Sequence, residues 1–131
     1  MAREITTTGS KKVGTLMKEF NKNYPYLRLK ICDFSQKAKV DKGETITGVD
    51  INKTLSEVRT KKGTGQITIT GNKYVGTVEK EFETIFGLYV QICYTVKEGN
   101  RHYTTGSDDK KSLSTLNKEK ENLGCKKGEW E

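Results

Sequence analysis

Residues 5–16 have the sequence ITTTGSKKVGTL, and residues 67–78 have the similar sequence ITITGNKYVGTV. The offset between the two stretches is 67 − 5 = 62. Each stretch begins with alternating apolar and β-branched residues, a pattern typical of a short strand. Each continues into apolar residues at helical spacing, which predicts a helix with one apolar face. The chain therefore encodes the same strand and helix twice.

The similarity continues beyond these stretches in the same order along the chain. Residues 29–32 (LKIC) match 90–93 (VQIC), and residues 53–58 (KTLSEV) match 111–116 (KSLSTL). Few large apolar residues are available to each half, so we expect both halves to share one core. The prediction is a single domain, 1–131, with repeats at 5–59 and 67–123, a linker at 60–66 and a loose tail at 124–131.

Each repeat has the pattern strand, helix, strand, strand, helix. Ser10 and Asn72 are good N-caps for the first helix of each repeat, and Gly87 is a good left-handed cap at the end of the second repeat's helix. A hairpin is expected at 88–96 and 101–105, and a weaker counterpart strand at 44–49. Helices at 54–59 and 112–122 end the repeats. The predicted fold class is α+β: a two-layer, ferredoxin-like sandwich with one mainly antiparallel sheet and helices on one face.

The composition excludes several classes of protein. Among 131 residues, 24 Lys and Arg oppose 17 Asp and Glu, giving a formal charge of +7, and 32% are hydrophobic. No apolar run approaches the roughly 20 residues of a membrane span, and the N-terminus lacks the apolar segment of a signal peptide. We therefore expect a cytoplasmic protein without a membrane partner. The charge favours nucleic acid or an acidic protein surface as partner.

Cysteine and histidine content argues against a metal site or disulfide framework. The chain has three cysteines and one histidine, His102. No two cysteines have the C-x-x-C spacing of a zinc or redox motif, and these residues do not form the four-ligand pattern of a structural zinc site. Cys32 and Cys93 are expected to be buried and Cys125 to be an exposed thiol in the tail. No metal and no cofactor is predicted.

Three motifs have residues that occur in catalytic or ligand-binding sites, and none supports an enzyme. In KKGTG at 61–65 the lysines precede the glycines and a strand follows, unlike a phosphate-binding P-loop. DINKT at 50–54 begins like a calcium loop but lacks its glycine and final acid. His102 has no recognisable nucleophile and acid arranged around it, so no catalytic residue is assigned.

Two segments carry a resemblance. TLSEVRTKKG at 54–63 and FGLYVQ at 86–91 resemble segments of small uncharacterised bacterial proteins of the Bacteroidetes type. The resemblance implies a bacterial cytosolic setting and carries over no functional residue.

Strand alternation predicts a candidate binding surface. Leu88, Val90 and Ile92 form the better core face of their strand, so Tyr89 points to the opposite, open face of the sheet. The predicted contacts with nucleic acid are Arg28, Lys30, Tyr89, Arg101 and Tyr103 on the strands, with Lys61 and Lys62 as contacts to the backbone. Tyrosine and arginine surrounded by lysine suit stacking and phosphate binding. The alternative is the ordinary wetted face of an antiparallel sheet.

The leading interpretation is thus a small, basic, non-enzymatic binding module, with nucleic acid as first candidate partner. A protein-binding module or inhibitor, acting through an edge strand or the basic 37–42 loop, is the second. A protein with a small-ligand site is the third. The pattern leaves the oligomeric state and strand order open.

Overall fold

The computed structural model describes residues 4–42, 47–63, 65–104 and 106–127. These residues form strands and α-helices, joined by short 3-10 turns at Phe34–Gln36 and Gly106–Asp108. The strands are β1 (Ile5–Thr7), β2 (Arg28–Asp33), β3 (Ile67–Ile69), β4 (Leu88–Thr95) and β5 (Arg101–Tyr103). The helices are α1 (Val13–Asn23), α2 (Lys37–Asp41), α3 (Leu55–Val58), α4 (Val75–Phe86) and α5 (Leu113–Asn122). The α+β class is confirmed.

The strands form two antiparallel sheets, so the predicted single sheet is wrong. β1 pairs with β3, and a separate sheet has the order β2-β4-β5. β1 and β3 are three residues long, each is followed at once by a turn into a helix, and among the described strands they pair with each other. The predicted hairpin is present as β4 and β5.

Both ladders are centred on matching residues of the two halves. In the first ladder Thr6 lies opposite Thr68, which are 62 positions apart. In the second, Lys30 lies opposite Gln91, the residue that matches it in the LKIC and VQIC segments. The register therefore pairs each half with its counterpart.

Residues from both halves form one hydrophobic core. The apolar stripes of α1 and α4 pack with the inward faces of both sheets, and Phe20 and Phe82 are fully buried in the same cluster. The predicted inward face of β4, at Leu88, Val90 and Ile92, is also buried there. The opposite face of β4 is thereby left for other contacts.

The helices α1 and α4 begin differently from the prediction. Their N-cap residues are Lys12 and Tyr74, and neither uses a side-chain cap. Instead, the Val13 N–H donates to the Lys53 carbonyl at 2.9 Å. In the second half, the Val75 N–H donates to the Lys111 carbonyl at 3.0 Å. Backbone carbonyls from the second part of each half satisfy the free helix donors, so Ser10 and Asn72 are not the caps.

The predicted helices at 54–59 and 112–122 are present as α3 and α5, and the predicted left-handed cap at Gly87 is confirmed. Thr54 and Glu57 form a reciprocal capping box at α3, and the Ser112 hydroxyl accepts from the Thr115 N–H at α5. Gly87 ends α4 in the left-handed conformation, with φ of 64°.

The first half lacks the predicted partner strand in its described part. Residues 47–50 are irregular, and residues 43–46 of the predicted strand at 44–49 lie outside the described residues. A single bond, from the Val49 N–H to the Ile31 carbonyl at 2.9 Å, joins this segment to β2. The predicted basic loop at 37–42 is largely the helix α2.

The described part of the tail, 124–127, is held in place rather than loose. The Cys125 N–H donates to the Lys120 carbonyl at 3.0 Å, and the Lys126 N–H donates to the Thr95 carbonyl of β4 at 2.9 Å. Cys125 is consequently buried, and the prediction of an exposed thiol is wrong. Residues 128–131 lie outside the described residues.

Candidate functional site: a basic sheet face and its pocket

The five strand residues predicted to bind nucleic acid lie on one face of the β2-β4-β5 sheet. Arg28 pairs with Cys93, which pairs with Tyr103 on β5. Lys30 pairs with Gln91, and Tyr89 and Arg101 share the same alternation on β4 and β5. Directly paired residues of an antiparallel sheet project to the same side. We call Arg28, Lys30, Tyr89, Arg101 and Tyr103 the basic face.

The basic face is less open than the sequence suggested. Arg101 is exposed, whereas Arg28, Lys30, Tyr89 and Tyr103 are partly buried. Between these residues lie Cys32, Gln91 and Cys93, which are buried. The Gln91 side-chain amide donates to the Tyr89 hydroxyl, which fixes that ring beside the centre of the face. A ligand would therefore meet the ends of long side chains rather than a flat sheet.

Lys61 and Lys62 lie away from Arg101, beyond the other end of the face. Both are exposed in the linker between the halves. The Lys61 N–H donates to the Phe86 carbonyl at 3.2 Å, which holds the linker at the end of α4 and close to the start of β4. Tyr89 is the member of the basic face nearest to them along the chain.

A pocket of about 230 Å³ opens beside β2 at the Arg28 end of the basic face. Its apolar wall comes from α1, β2 and the segment after residue 47, namely Met17, Leu29, Ile31, Val49 and Ile51. Its polar wall contains Asn21 and the three cations of the basic face, Arg28, Lys30 and Arg101. Cys93 also lines the pocket. Among the described residues that line the pocket, none is a carboxylate.

The two thiols on the face are poor nucleophiles. Burial raises the pKa of Cys32 to about 11, although the charge of Lys30 opposes the effect. Burial also raises the pKa of Cys93, against the charges of Arg101, Arg28 and Lys30. Because the thiolate is the reactive form, these cysteines act as small packing groups, as the sequence predicted.

The second half has a carboxyl group at the place that corresponds to the pocket wall. Glu79 matches Met17 at an offset of 62, and Asp109 matches Ile51 at an offset of 58. Burial and the nearby Asp109 charge raise the pKa of Glu79 to about 8, while a hydrogen bond from the Ile92 backbone opposes the change. Sequence reasoning missed both the Glu79 and Asp109 pair and the walls of the pocket. The signal is present in the sequence, because Met17 and Ile51 in the first half are replaced by acidic residues at the matching positions of the second half.

The remaining chemical candidates form no site in the described residues. His102 is exposed and stacks on Tyr94 with ring centroids 5.8 Å apart. Over residues 4–42, 47–63, 65–104 and 106–127, no group of three or more His, Cys, Asp or Glu is placed to hold a metal ion. Within the same ranges, no helix has the length and apolar character needed to cross a membrane.

No protein family, curated protein or solved structure matches the chain. The resemblance carried by residues 54–63 and 86–91 therefore stays a prediction. Function has to be argued from the site itself.

Proposed function

We propose that the protein is a non-enzymatic cytoplasmic binding module whose basic face holds single-stranded nucleic acid. The supporting observation is that Arg28 and Lys30 of β2 and Arg101 of β5 lie on one face of the sheet with Tyr89 and Tyr103. Cationic side chains attract phosphates, and tyrosine rings stack on unpaired bases whatever their sequence. Buried thiols at the centre of the face add no competing reactive group.

Lys61 and Lys62 extend this surface as contacts to the nucleic-acid backbone. From Cys93 to Tyr89 the face follows β4 for four residues, which is about 13 Å at the usual rise of a strand. A nucleic acid that passed Arg101 and then Tyr89 would next approach the linker that carries both lysines. Their exposure leaves both ammonium groups available to phosphates.

Salt-dependent binding tests the proposal. A fluorescein-labelled single strand is titrated by polarisation at about 50 mM and about 200 mM salt, where counterion release predicts a large loss of affinity. Lys30→Ala and Arg101→Ala should each reduce the slope of log affinity against log salt by about 0.7, the value for one phosphate contact on a single strand.

Lys80→Ala is the matched control. Lys80 is exposed on α4, the helix that packs on the core side of β4, so its loss removes the same charge away from the basic face. Absence of binding at both salt concentrations refutes the proposed function. The proposal is also refuted if Lys80→Ala weakens binding as much as Lys30→Ala and Arg101→Ala do. Equal effects would mean that binding depends on the net charge of the protein and not on the basic face.

An acidic protein is the second candidate partner, because β2 is an edge strand of its sheet. Because the segment after residue 47 already bonds to β2 at the Ile31 carbonyl, an extended acidic segment could pair with the part of β2 before Ile31, with its carboxylates on Arg28 and Lys30. Titration with an unstructured polyglutamate peptide separates the candidates. Peptide binding that exceeds oligonucleotide binding at the same salt favours the protein partner.

We further propose that the two halves are copies of one unit related by an approximate two-fold axis. The ladders centred on Thr6 and Thr68, and on Lys30 and Gln91, support this. An added Cβ on Gly9 would lie 2.3 Å from the Ser56 hydroxyl.

The matching position in the second half has the same geometry, since an added Cβ on Gly71 would lie 2.2 Å from the Ser114 hydroxyl. Gly9→Ala and Gly71→Ala should therefore cause similar losses of stability. Adding Ser56→Ala to Gly9→Ala, and Ser114→Ala to Gly71→Ala, should restore part of the lost stability in each case, because the hydroxyl that the new Cβ would meet is removed. Unequal responses in thermal unfolding would contradict the relation.

A further inference from the structure

The pocket beside β2 combines features that call for a particular kind of occupant. One wall is apolar, and the other carries the cations Arg28, Lys30 and Arg101. Its volume of about 230 Å³ is several times the roughly 30 Å³ of a water molecule and smaller than the usual drug-sized cleft. The space therefore suits one ring-sized apolar group attached to an anion.

The pocket is not a necessary consequence of the repeated unit. At the matching place in the second half, Glu79 and Asp109 replace Met17 and Ile51, so the apolar wall has no equivalent there. The two carboxyl groups lie close enough to affect each other. The protonated Glu79 offers an anion no positive charge, and the charge of Asp109 would repel it, whereas the three cations of the pocket would attract it. The asymmetry marks this one position for ligand binding.

A nucleotide within a single strand supplies both parts that the pocket requires. Its base is planar and can leave the stack, and phosphates flank the base on both sides. An acidic side chain has no comparable ring to fill the apolar wall. A second copy of this chain paired along β2 would oppose Arg28 and Lys30 of each copy, and like charges directly opposite each other destabilise a sheet.

We propose that this pocket takes one unstacked base of a bound single strand, with Lys30 and Arg101 on the phosphates that flank it. The base contacts Met17 and Val49 on the apolar wall. This inference rests on the proposed binding of single-stranded nucleic acid to the basic face, and it adds the position at which the strand is anchored.

Met17 gives a direct readout of an occupied pocket. The chain has two methionines, Met1 and Met17, so protein labelled with ¹³C at the methionine methyl groups gives two signals. Met17→Leu assigns the signal of the pocket by removing it. A thymidine hexanucleotide and an abasic hexamer with the same phosphates are the two probes, and polarisation measures the affinity of each.

We expect the Met17 signal to move with the thymidine strand because a base ring lies against the methyl group, and to stay near its free position with the abasic strand. The thymidine strand should bind more than tenfold more tightly, with about tenfold from the base in the pocket and the rest from bases that stack on Tyr89 and Tyr103. If the thymidine strand saturates the protein and the Met17 signal does not move, the pocket inference is wrong while the proposed function stands. If neither strand binds, the proposed function itself fails.

Filling the pocket provides the second arm of the test. Val49→Phe adds a ring to the apolar wall and should lower the advantage of the thymidine strand about tenfold without changing the affinity for the abasic strand. Leu123→Phe is the control, because Leu123 is exposed and lies outside the pocket. An unchanged advantage in folded Val49→Phe overturns the inference. If that variant does not fold, the Met17 signal of the wild-type chain still decides the question.

Discussion

Glu79 makes the stability of this protein depend on pH in the neutral range. Its carboxyl group is partly buried on α4, close to Asp109, and its pKa is about 8 instead of 4.5. Between these two pH values the folded chain keeps a proton that the unfolded chain has lost, so stability falls as pH rises. At 1.36 kcal/mol for each pH unit, the loss from about pH 5 to about pH 8.5 is about 4 kcal/mol as an upper figure.

Glu79→Gln removes this titration while it keeps the shape of the side chain and an oxygen that can accept from the Ile92 N–H. We expect urea unfolding, followed by circular dichroism, to show wild-type stability declining from about pH 5 to about pH 8.5 and the variant declining less, by up to about 4 kcal/mol. Glu83→Gln, one turn further along the helix, is the control. Identical slopes for wild type and Glu79→Gln would refute the assigned burial of this carboxyl group.

Three further outcomes follow from buried groups and close contacts. Thr7→Val should raise the free energy of unfolding by about 1 kcal/mol, because the Thr7 hydroxyl is fully buried and has no hydrogen-bond partner among the described residues, and Thr6→Val on the exposed face of β1 should change it little. Gly87→Ala should cost about 2–4 kcal/mol, because φ is 64° and an added Cβ would lie 2.1 Å from a threonine hydroxyl of the linker. Gly99→Ala should cost about 1 kcal/mol in the same urea titration, because φ is also positive there, at 98°, but the added Cβ would meet the Lys126 Nζ at an ordinary contact distance of 3.9 Å. Cys32, with its pKa near 11, should resist iodoacetamide near neutral pH until urea unfolds the chain, as followed by mass spectrometry; rapid labelling of the native protein would contradict its burial.

The local elements of this protein could be predicted from sequence because their signals are local. The apolar stripe at Val13, Leu16 and Phe20 repeats at helical spacing, and this stripe is buried as predicted. Gly87 marks the end of α4 because a left-handed residue without a Cβ carries little strain. Strand alternation likewise placed Arg28, Lys30 and Tyr89 on the side of the sheet opposite the core.

The helix starts and the sheet arrangement depend on partners distant in the chain. Ser10 and Asn72 are acceptable caps by type, yet the free N–H groups of α1 and α4 take carbonyls from residues 51–53 and 109–111 instead. The division into two sheets likewise depends on tertiary contacts, because β1 pairs with β3 and β2 pairs with β4, and these partners are far apart in the chain. Cys125, polar by its neighbours in sequence, is buried because the chain beside it pairs with β4.

The sequence alone predicts a repeated strand–helix pattern, a basic chain and the alternation of side chains along each strand. Tertiary contacts are needed for the division into two sheets, for the burial at the centre of the basic face, and for the position of Met17 and Val49 beside three cations around a pocket. Periodicity and caps act over a few residues. Burial, pKa and pocket shape instead arise from groups brought together from α1, β2, β5 and the segment after residue 47.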